Sequence, residues 1–502
     1  MNKKKDWFKV RGYTHLTNNI PIHLRQRVYR KVSNPKYVSK HSFSPLLFKE
    51  IKQRRYKEFK DNGELRRSHK KIKNGKFVSN TKIRKILYAS HMDANIYSYY
   101  AQKIIQPKYE SFLKQDPDLS SAVTAYRQIL TKDKKKFKNN IHFAKEVFDE
   151  IKKRGECVVL AFDIENFFPS LNHKKLKNIW ANILGLKSLT KDHYNIFKSV
   201  TNFSYIKLSD LKSKNYHFDE KKLSSLRKEG HNSFFKNVES LLDSGIRIYK
   251  NQRITEGNKI GIPQGLPISS VLANIYMFDF DKSIVNELVK IQKCYYRRYS
   301  DDIIVVCAKE NVIAVREFIH KEIEKIELQI SEAKTEEIHF KLNEFNELES
   351  FRLKNTKVLQ KYPLKYLGFE FHGQKILIKS SNLASFYRDM KDSIRVKNRR
   401  IEKIKEKYLL DNAPIFKRKI YRLFSYKGIK KRTLKRTKNR MLNGKSINII
   451  YHKKYRGNYI KYALLASEEM KSPEIKRQLR NHWKILQLEL KKYDFSNVKK
   501  GK

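Results

Sequence analysis

The sequence predicts an α+β fold, and three observations carry that prediction. A short run of apolar and β-branched residues, CVVLAF at 157–162, reads as a buried strand. A strand–turn–strand follows at CYYRRY-SDD-IIVVC, residues 294–307. Helical periodicity surrounds both: Phe143, Val147, Phe148 and Ile151 share one face of a helix from Asn139 to Gly155, where the glycine suits a C-terminal cap. A second amphipathic helix spans about Val312 to Ile326.

The other elements follow in chain order. Residues 1–80 read as a basic, irregular N-terminal extension, with one basic run from Lys49 to Arg55 and another from Arg66 to Lys76. From Ile83 to Leu113 the pattern turns helical and aromatic. After Pro169-Ser170, Leu176, Ile179, Trp180 and Ile183 recur at helical spacing. Residues 185–250 are polar and Lys/Ser-rich, without recognisable chemistry. A helix is expected from near Pro267 through SSVLANIYMFDFDKSIVNEL, and KYLGFEF at 365–371 reads as a strand. Asn382 to Leu409 is helical and basic, carrying Arg388, Lys391, Arg395, Lys397, Arg399, Arg400, Lys403 and Lys405. The last ninety or so residues stay basic and contain tyrosines.

Charge narrows the function. The 502 residues include 111 Lys+Arg against 51 Asp+Glu, a formal +60, and such a chain self-repels unless a polyanion neutralises part of it. Nucleic acid is the expected partner; the alternative is a Lys-rich genomic bias, against which the uneven placement of the basic residues argues. Three cysteines, Cys157, Cys294 and Cys307, lack metal-type spacing and read as buried thiols of a reducing compartment. The basic N-terminus has no apolar stretch behind it and no run of about 18 apolar residues occurs, so neither a secretory signal nor a membrane span is expected. The cytoplasm is the expected location.

Three islands carry chemistry. FDIENFFPSL at 162–171 places Asp163 at the end of a buried strand, where a carboxylate is costly unless a cation compensates it. Mg²⁺, which takes hard oxygen ligands, is one compensator; capping of the next turn is the other reading. Tyr299-Ser300-Asp301-Asp302 sets two adjacent acids at a hairpin tip between apolar flanks, with ordinary turn chemistry as the alternative. GIPQGLPISS at 261–270 brings Gly residues and Gln264 to a loop opening a helix, where backbone approaches a ligand closely or simply turns. Together, acids converging from separate strands suit phosphoryl transfer by two metals about 3.5 to 4 Å apart.

In that order and spacing, FDIENFFPSL, GIPQGLPISS and YSDD resemble the palm motifs of reverse transcriptases, and ISEAKTEEI (330–338) and KYLGFEF resemble two later palm motifs. The resemblance covers roughly residues 120–375. It implies a right-hand polymerase with fingers at 81–156, palm at 157–375 with an insertion at 185–250, a helical thumb at 376–445 and a basic C-terminal region at 446–502. It implies two Mg²⁺ ions, or Mn²⁺, on Asp163, Asp301 and Asp302 with the Ile164 carbonyl assisting. Phe168 falls where the family places its steric gate against a ribose 2′-hydroxyl. Gln264 and Gly265 would meet the incoming dNTP, Arg127 would clamp its triphosphate, and Lys334 would protonate leaving pyrophosphate. Tyr366, Leu367 and Gly368 would position the primer end.

Ser300 stands where many relatives carry Ala or Met, which leaves the acids intact. No RNase H-like, HNH-like or zinc-type set is legible, so the chain most resembles bacterial defence-associated reverse transcriptases of the unknown groups, then retron and group II intron enzymes, with the homopolymer-making subgroup preferred. That implies a noncoding RNA template and scaffold, a cDNA product, a role in anti-phage immunity and possible homo-oligomers. Tyr451, Tyr455, Tyr459 and Tyr462 read as core or base-stacking rings, a protein-hydroxyl primer being the alternative. Two other functions compete: an RNA-binding, maturase-like scaffold with a vestigial core, and an RNA-dependent RNA polymerase.

Overall fold

The computed structural model describes residues 6–54, 57–61, 64–68, 70–73, 76–213, 218–251, 257–354, 358–410, 417–430, 432–442, 445–455 and 457–493. By packing, the chain divides into two units: Met1–Arg127 with Phe162–Ile304 and Ile313–Thr335, and Gln128–Ala161 with Val305–Val312 and Glu336–Lys502.

In the first unit a four-stranded sheet has the order Thr81–Tyr88, Leu46–Arg54, Ser204–Lys207, Tyr249–Lys250. Thr81–Tyr88 thus departs from the helical expectation. Eight residues pair antiparallel with the earlier strand, from Leu47↔Tyr88 to Arg54↔Thr81, and that distant partner overrides an ambiguous local pattern. The helix starts only at His91, where the Ser90 hydroxyl accepts from the Asp93 N–H at 3.3 Å. The basic run at 49–54 is strand rather than irregular chain; Arg55 and the 66–76 run lie outside what the structure describes of side chains. The Lys/Ser-rich stretch is woven into this unit: Ser204–Lys207 pairs parallel with Leu46–Phe48, and Phe218, Leu223, Phe234 and Leu241 share a buried core with Leu16 and Leu47.

The second unit holds the helix Asn140–Arg154, capped at one end by the Asn139 side chain and at the other by Gly155 at φ 71°. In it, Glu336–Leu342 runs antiparallel to Cys157–Ala161 on one side and to Leu348–Lys354 on the other. KYLGFEF is a hairpin rather than one strand. Leu364–Tyr366 and Phe369–Phe371 pair across Leu367 and Gly368, whose φ of 44° and 94° are the pattern of a two-residue hairpin turn. The basic helix spans Ser380–Tyr408, and Phe386, Met390, Ile394 and Ile401 bury its apolar stripe. Downstream the expected helical run gives way to paired strands, Arg432–Leu442 with Lys445–Tyr455, before helices resume at Tyr459–Glu469 and His482–Lys491.

The sheet that displays the acidic motifs has six strands in the order Tyr295–Tyr299, Asp302–Cys307, Cys157–Asp163, Glu336–Leu342, Leu348–Lys354, Val358–Lys361. Val158, Val159, Leu160 and Ile303 to Cys307 are buried, which is why both motifs read as near-continuous apolar runs. Among the described residues no helix is long and apolar enough to cross a membrane.

Candidate active site

Asp163 ends its strand half-buried, and the backbone beyond it is held from two sides. The Ile164 N–H donates to the Asp301 carbonyl at 3.2 Å, while Ser331 N–H donates to Asp163 O at 2.8 Å and Glu165 N–H to Gln329 O at 2.8 Å. An extended residue presents its N–H and C=O to the same edge, so the Ile164 carbonyl faces the hairpin that carries Asp301. Lys334, on the short turn Glu332–Lys334, donates its ammonium to Asp163 Oδ1 as an ion pair. The structure therefore brings Asp163, Asp301 and Lys334 together, with Asp302 exposed at the start of the returning strand.

The electrostatics follow from that crowding. Burial pushes the Asp301 carboxyl above its ordinary value and the nearby Asp163 charge adds to it, while its own N–H, the Ser300 hydroxyl and Lys334 pull the other way. A half-buried pair of repelling hard-oxygen donors suits a divalent cation. Among the described residues no three His, Cys, Asp or Glu side chains gather into a metal-holding group. That is compatible with Mg²⁺, which is commonly held by one or two carboxylates, water and substrate phosphates.

The loop at 261–265 is fastened to the segment carrying Phe168. Ile262 N–H donates to Phe168 O at 2.9 Å, Gly261 N–H to Leu171 O at 2.8 Å, and the His173 ring bonds Gly261 O at 2.8 Å. On its other side, Gln264 O accepts from Leu87 N–H at 2.9 Å. Gly265 is required there: its φ is 122°, and a Cβ would lie 2.5 Å from Leu87 O. The Gln264 side chain is exposed and Phe168 half-buried, so both remain able to meet a ligand.

Arg127 is turned inward instead of toward a triphosphate. Its side chain is 3% exposed and forks onto Glu110 at 2.9 and 2.8 Å, with further bonds to Ser120 O (2.5 Å) and Val123 O (2.6 Å). With its donors engaged inside one unit, it ties the helix Gln106–Lys114 to Pro117–Ala122. Tyr366, Leu367 and Gly368 form the hairpin of the second unit, Tyr366 buried. Tyr459 and Tyr462 are half-buried, and burial pushes both phenols up to about 12; Tyr459 stacks on Phe386 at 4.5 Å. Those two behave as packing rings, while the Tyr451 and Tyr455 side chains lie outside the described residues.

A buried clamp beneath the acidic hairpin escaped the sequence reading. Arg298, with no solvent exposure, donates to both Asp281 oxygens at 2.7 and 2.6 Å, to Asn274 Oδ1 at 3.3 Å and to the Ser300 carbonyl at 3.1 Å. Tyr296 O–H also donates to Asp281 at 2.6 Å, and Thr124 donates its N–H and hydroxyl to Arg298 O at 3.0 and 2.9 Å. Burial alone lowers the Arg298 guanidinium, and Asp281 more than reverses it. The clamp grips Ser300, which adopts a left-handed φ of 64° at the tip. Strand alternation held the signal: Tyr296, Arg298 and Ser300 share the inward face of YYRRYS.

Carboxylates thus meet at a strand end and a hairpin tip, and a glycine-bearing loop is fastened to the segment that carries Phe168. The family is shown by sequence: residues 81–371 match the model described as reverse transcriptase (RNA-dependent DNA polymerase), and the chain belongs to that family, with its right-hand polymerase fold. The matched domain is by class an RNA-directed DNA polymerase, a nucleotidyltransferase. A comparison with curated proteins found no match. Among solved structures, the chain is similar to apo telomerase from Candida tropicalis truncated from its C-terminal domain, at 11% identity and a TM-score of 0.37, over 64% of this chain and 54% of that one. It is also similar to telomerase from Candida albicans in complex with a fragment of telomeric RNA, at 12% identity and a TM-score of 0.37, over 94% of this chain and 66% of that one. The chain thus spans about half the length of the first of these structures.

Proposed function

We propose that the protein synthesises cDNA on a noncoding RNA template and serves anti-phage defence. The observation that carries the catalytic part is the meeting of Asp163, Asp301 and Lys334 beside the Asp302 strand, in a chain of the reverse transcriptase family. Asp163, Asp301, Asp302 and the Ile164 carbonyl are the groups that would hold two Mg²⁺ ions, or Mn²⁺. Such ions lower the pKa of an attacking 3′-hydroxyl and neutralise the departing pyrophosphate.

The protein's own groups do the rest. The Phe168 ring closes the space a ribose 2′-hydroxyl would need, selecting dNTPs. The Gln264 amide, on a loop whose backbone is fixed to Phe168 O and Leu87 N, orients the incoming nucleotide. The ion pair of Lys334 with Asp163 supports a role for that ammonium in giving its proton to an oxyanion leaving the same neighbourhood. The Tyr366–Gly368 turn is assigned to the primer end. The basic helix Ser380–Tyr408 tracks the duplex through phosphates, which fixes register without reading sequence. The net charge of +60 supports a large nucleic-acid partner, and a bacterial cytoplasm is the assigned setting.

The test is to sequence RNA and DNA that copurify with the protein and to challenge expressing cells with phage. The proposal expects one dominant RNA, complementary DNA, and protection lost in Asp301→Ala. Protection that survives Asp301→Ala assigns the defence role to a scaffold, and absence of complementary DNA overturns the synthetic role.

A further inference from the structure

The second unit carries an aromatic pair, Tyr421 and Trp483, whose indole its packing leaves outward. The chain has three tryptophans; Trp7 and Trp180 are 3% and 0% exposed, whereas Trp483 is 43% exposed. Its indole lies 6.0 Å from the Tyr421 ring at an interplanar angle of 28°, a stacked arrangement. The pair is rigidly mounted. Tyr421 belongs to the helix Arg418–Phe424, whose Ile420 and Phe424 are buried, and Trp483 to the helix His482–Lys491. The two helices are joined beside the pair by the buried His482 ring, 2.6 Å from Phe424 O.

The surroundings are cationic. The Lys427 ammonium lies 5.0 Å from the Tyr421 ring centroid, and Arg418, one turn before Tyr421, and Lys484, next to Trp483, are exposed. Among the described residues no carboxylate pairs with Arg418, Lys427 or Lys484. An exposed indole stacked on a half-buried phenol and flanked by unpaired cations matches the chemistry of single-stranded nucleic acid, whose bases offer π-faces and whose backbone offers phosphates. A duplex hides those faces, and an apolar protein partner leaves the cations uncompensated.

We propose that Tyr421 and Trp483 form a base-stacking site for single-stranded nucleic acid, separate from the acidic site. It extends the polymerase reading to a second contact with template RNA or product cDNA, yet its test needs no catalysis, so the two can fail separately. The full-length protein is titrated with uridine-rich RNA, thymidine-rich DNA and a matched duplex. Tryptophan emission reads Trp483, and anisotropy of labelled oligonucleotides reads affinity.

The expected result is quenching of the exposed tryptophan by a single strand and weaker quenching by the duplex. Affinity should fall about 5- to 150-fold in Trp483→Ala and in Tyr421→Ala, with Trp483→Phe retaining most of it. Quenching by RNA alone identifies the template strand, and by DNA alone the product. Affinity unchanged in both alanine variants, or equal quenching by the duplex, overturns the proposal. Trp483 is exposed and Tyr421 half-buried, and unchanged melting curves for Trp483→Ala and Tyr421→Ala confirm that a loss of affinity in them is not unfolding.

Discussion

Replacing Arg298 with alanine should damage both the fold and the chemistry, for reasons that can be separated. The guanidinium and Asp281 are each fully buried, so truncation leaves a carboxylate with the Tyr296 hydroxyl as its remaining donor among the side chains described. Removing one partner of such a pair costs about 3–5 kcal/mol. The same change frees the Ser300 carbonyl, and a non-glycine residue held at positive φ carries about 1–2 kcal/mol of strain that the clamp opposes. Urea denaturation reads the first effect, and dNTP incorporation well below the unfolding transition reads the second, with at least a tenfold fall in kcat expected. The paired change Arg298→Met with Asp281→Leu removes both charges. It should recover most of the stability but not the rate, because Ser300 O still lacks its donor. Arg298→Ala with stability within about 0.5 kcal/mol of the parent and an unchanged rate would refute the clamp.

Three further outcomes follow from the same structure. Gly265→Ala places a Cβ against Leu87 O and imposes strain at φ 122°, so the loop should shift; incorporation should drop sharply, with Gln264→Ala a milder companion. Phe168→Ala should raise ribonucleotide incorporation relative to dNTP, measured as the ratio of kcat/KM values; an unchanged ratio removes the gate from this ring. His15 and His91 are buried in the first unit near Arg11 and Asp93, and burial is the main cause holding both imidazoles down at about 4, from 6.5. Their folded pKa is depressed, so stability is full above 6.5 and is lost as pH falls toward 4, by about 2 kcal/mol for each at pH 5. Urea midpoints at pH 7 and 5 check this, and His91→Phe should flatten the dependence.

What the sequence made legible was local. Asp163 and the Ser300–Asp302 tip each lie within or beside one apolar strand, and the Asn139 and Gly155 caps bracket one helix, so a few neighbouring residues declare them. What it hid depends on distant partners. Thr81–Tyr88 is a strand because Leu46–Arg54 pairs with it, and Leu367 takes a turn conformation unusual for its residue type. Arg127 resembled a surface arginine or a phosphate clamp until Glu110, seventeen positions earlier, filled its fork. The Asp281–Arg298 pair left one faint mark, the strand alternation that turns Arg298 inward with Tyr296 and Ser300, because an acid in a helical pattern and an arginine in a strand each have ordinary readings until the fold buries them together.

The most direct test of the central claim is primer extension by the purified protein on an RNA template with Mg²⁺ and dNTPs, beside the paired variant Asp301→Ala, Asp302→Ala. The account predicts dNTP-dependent extension by the parent, none above background by the variant, and little extension with NTPs. Extension that persists in the variant contradicts the assignment of those aspartates to catalysis.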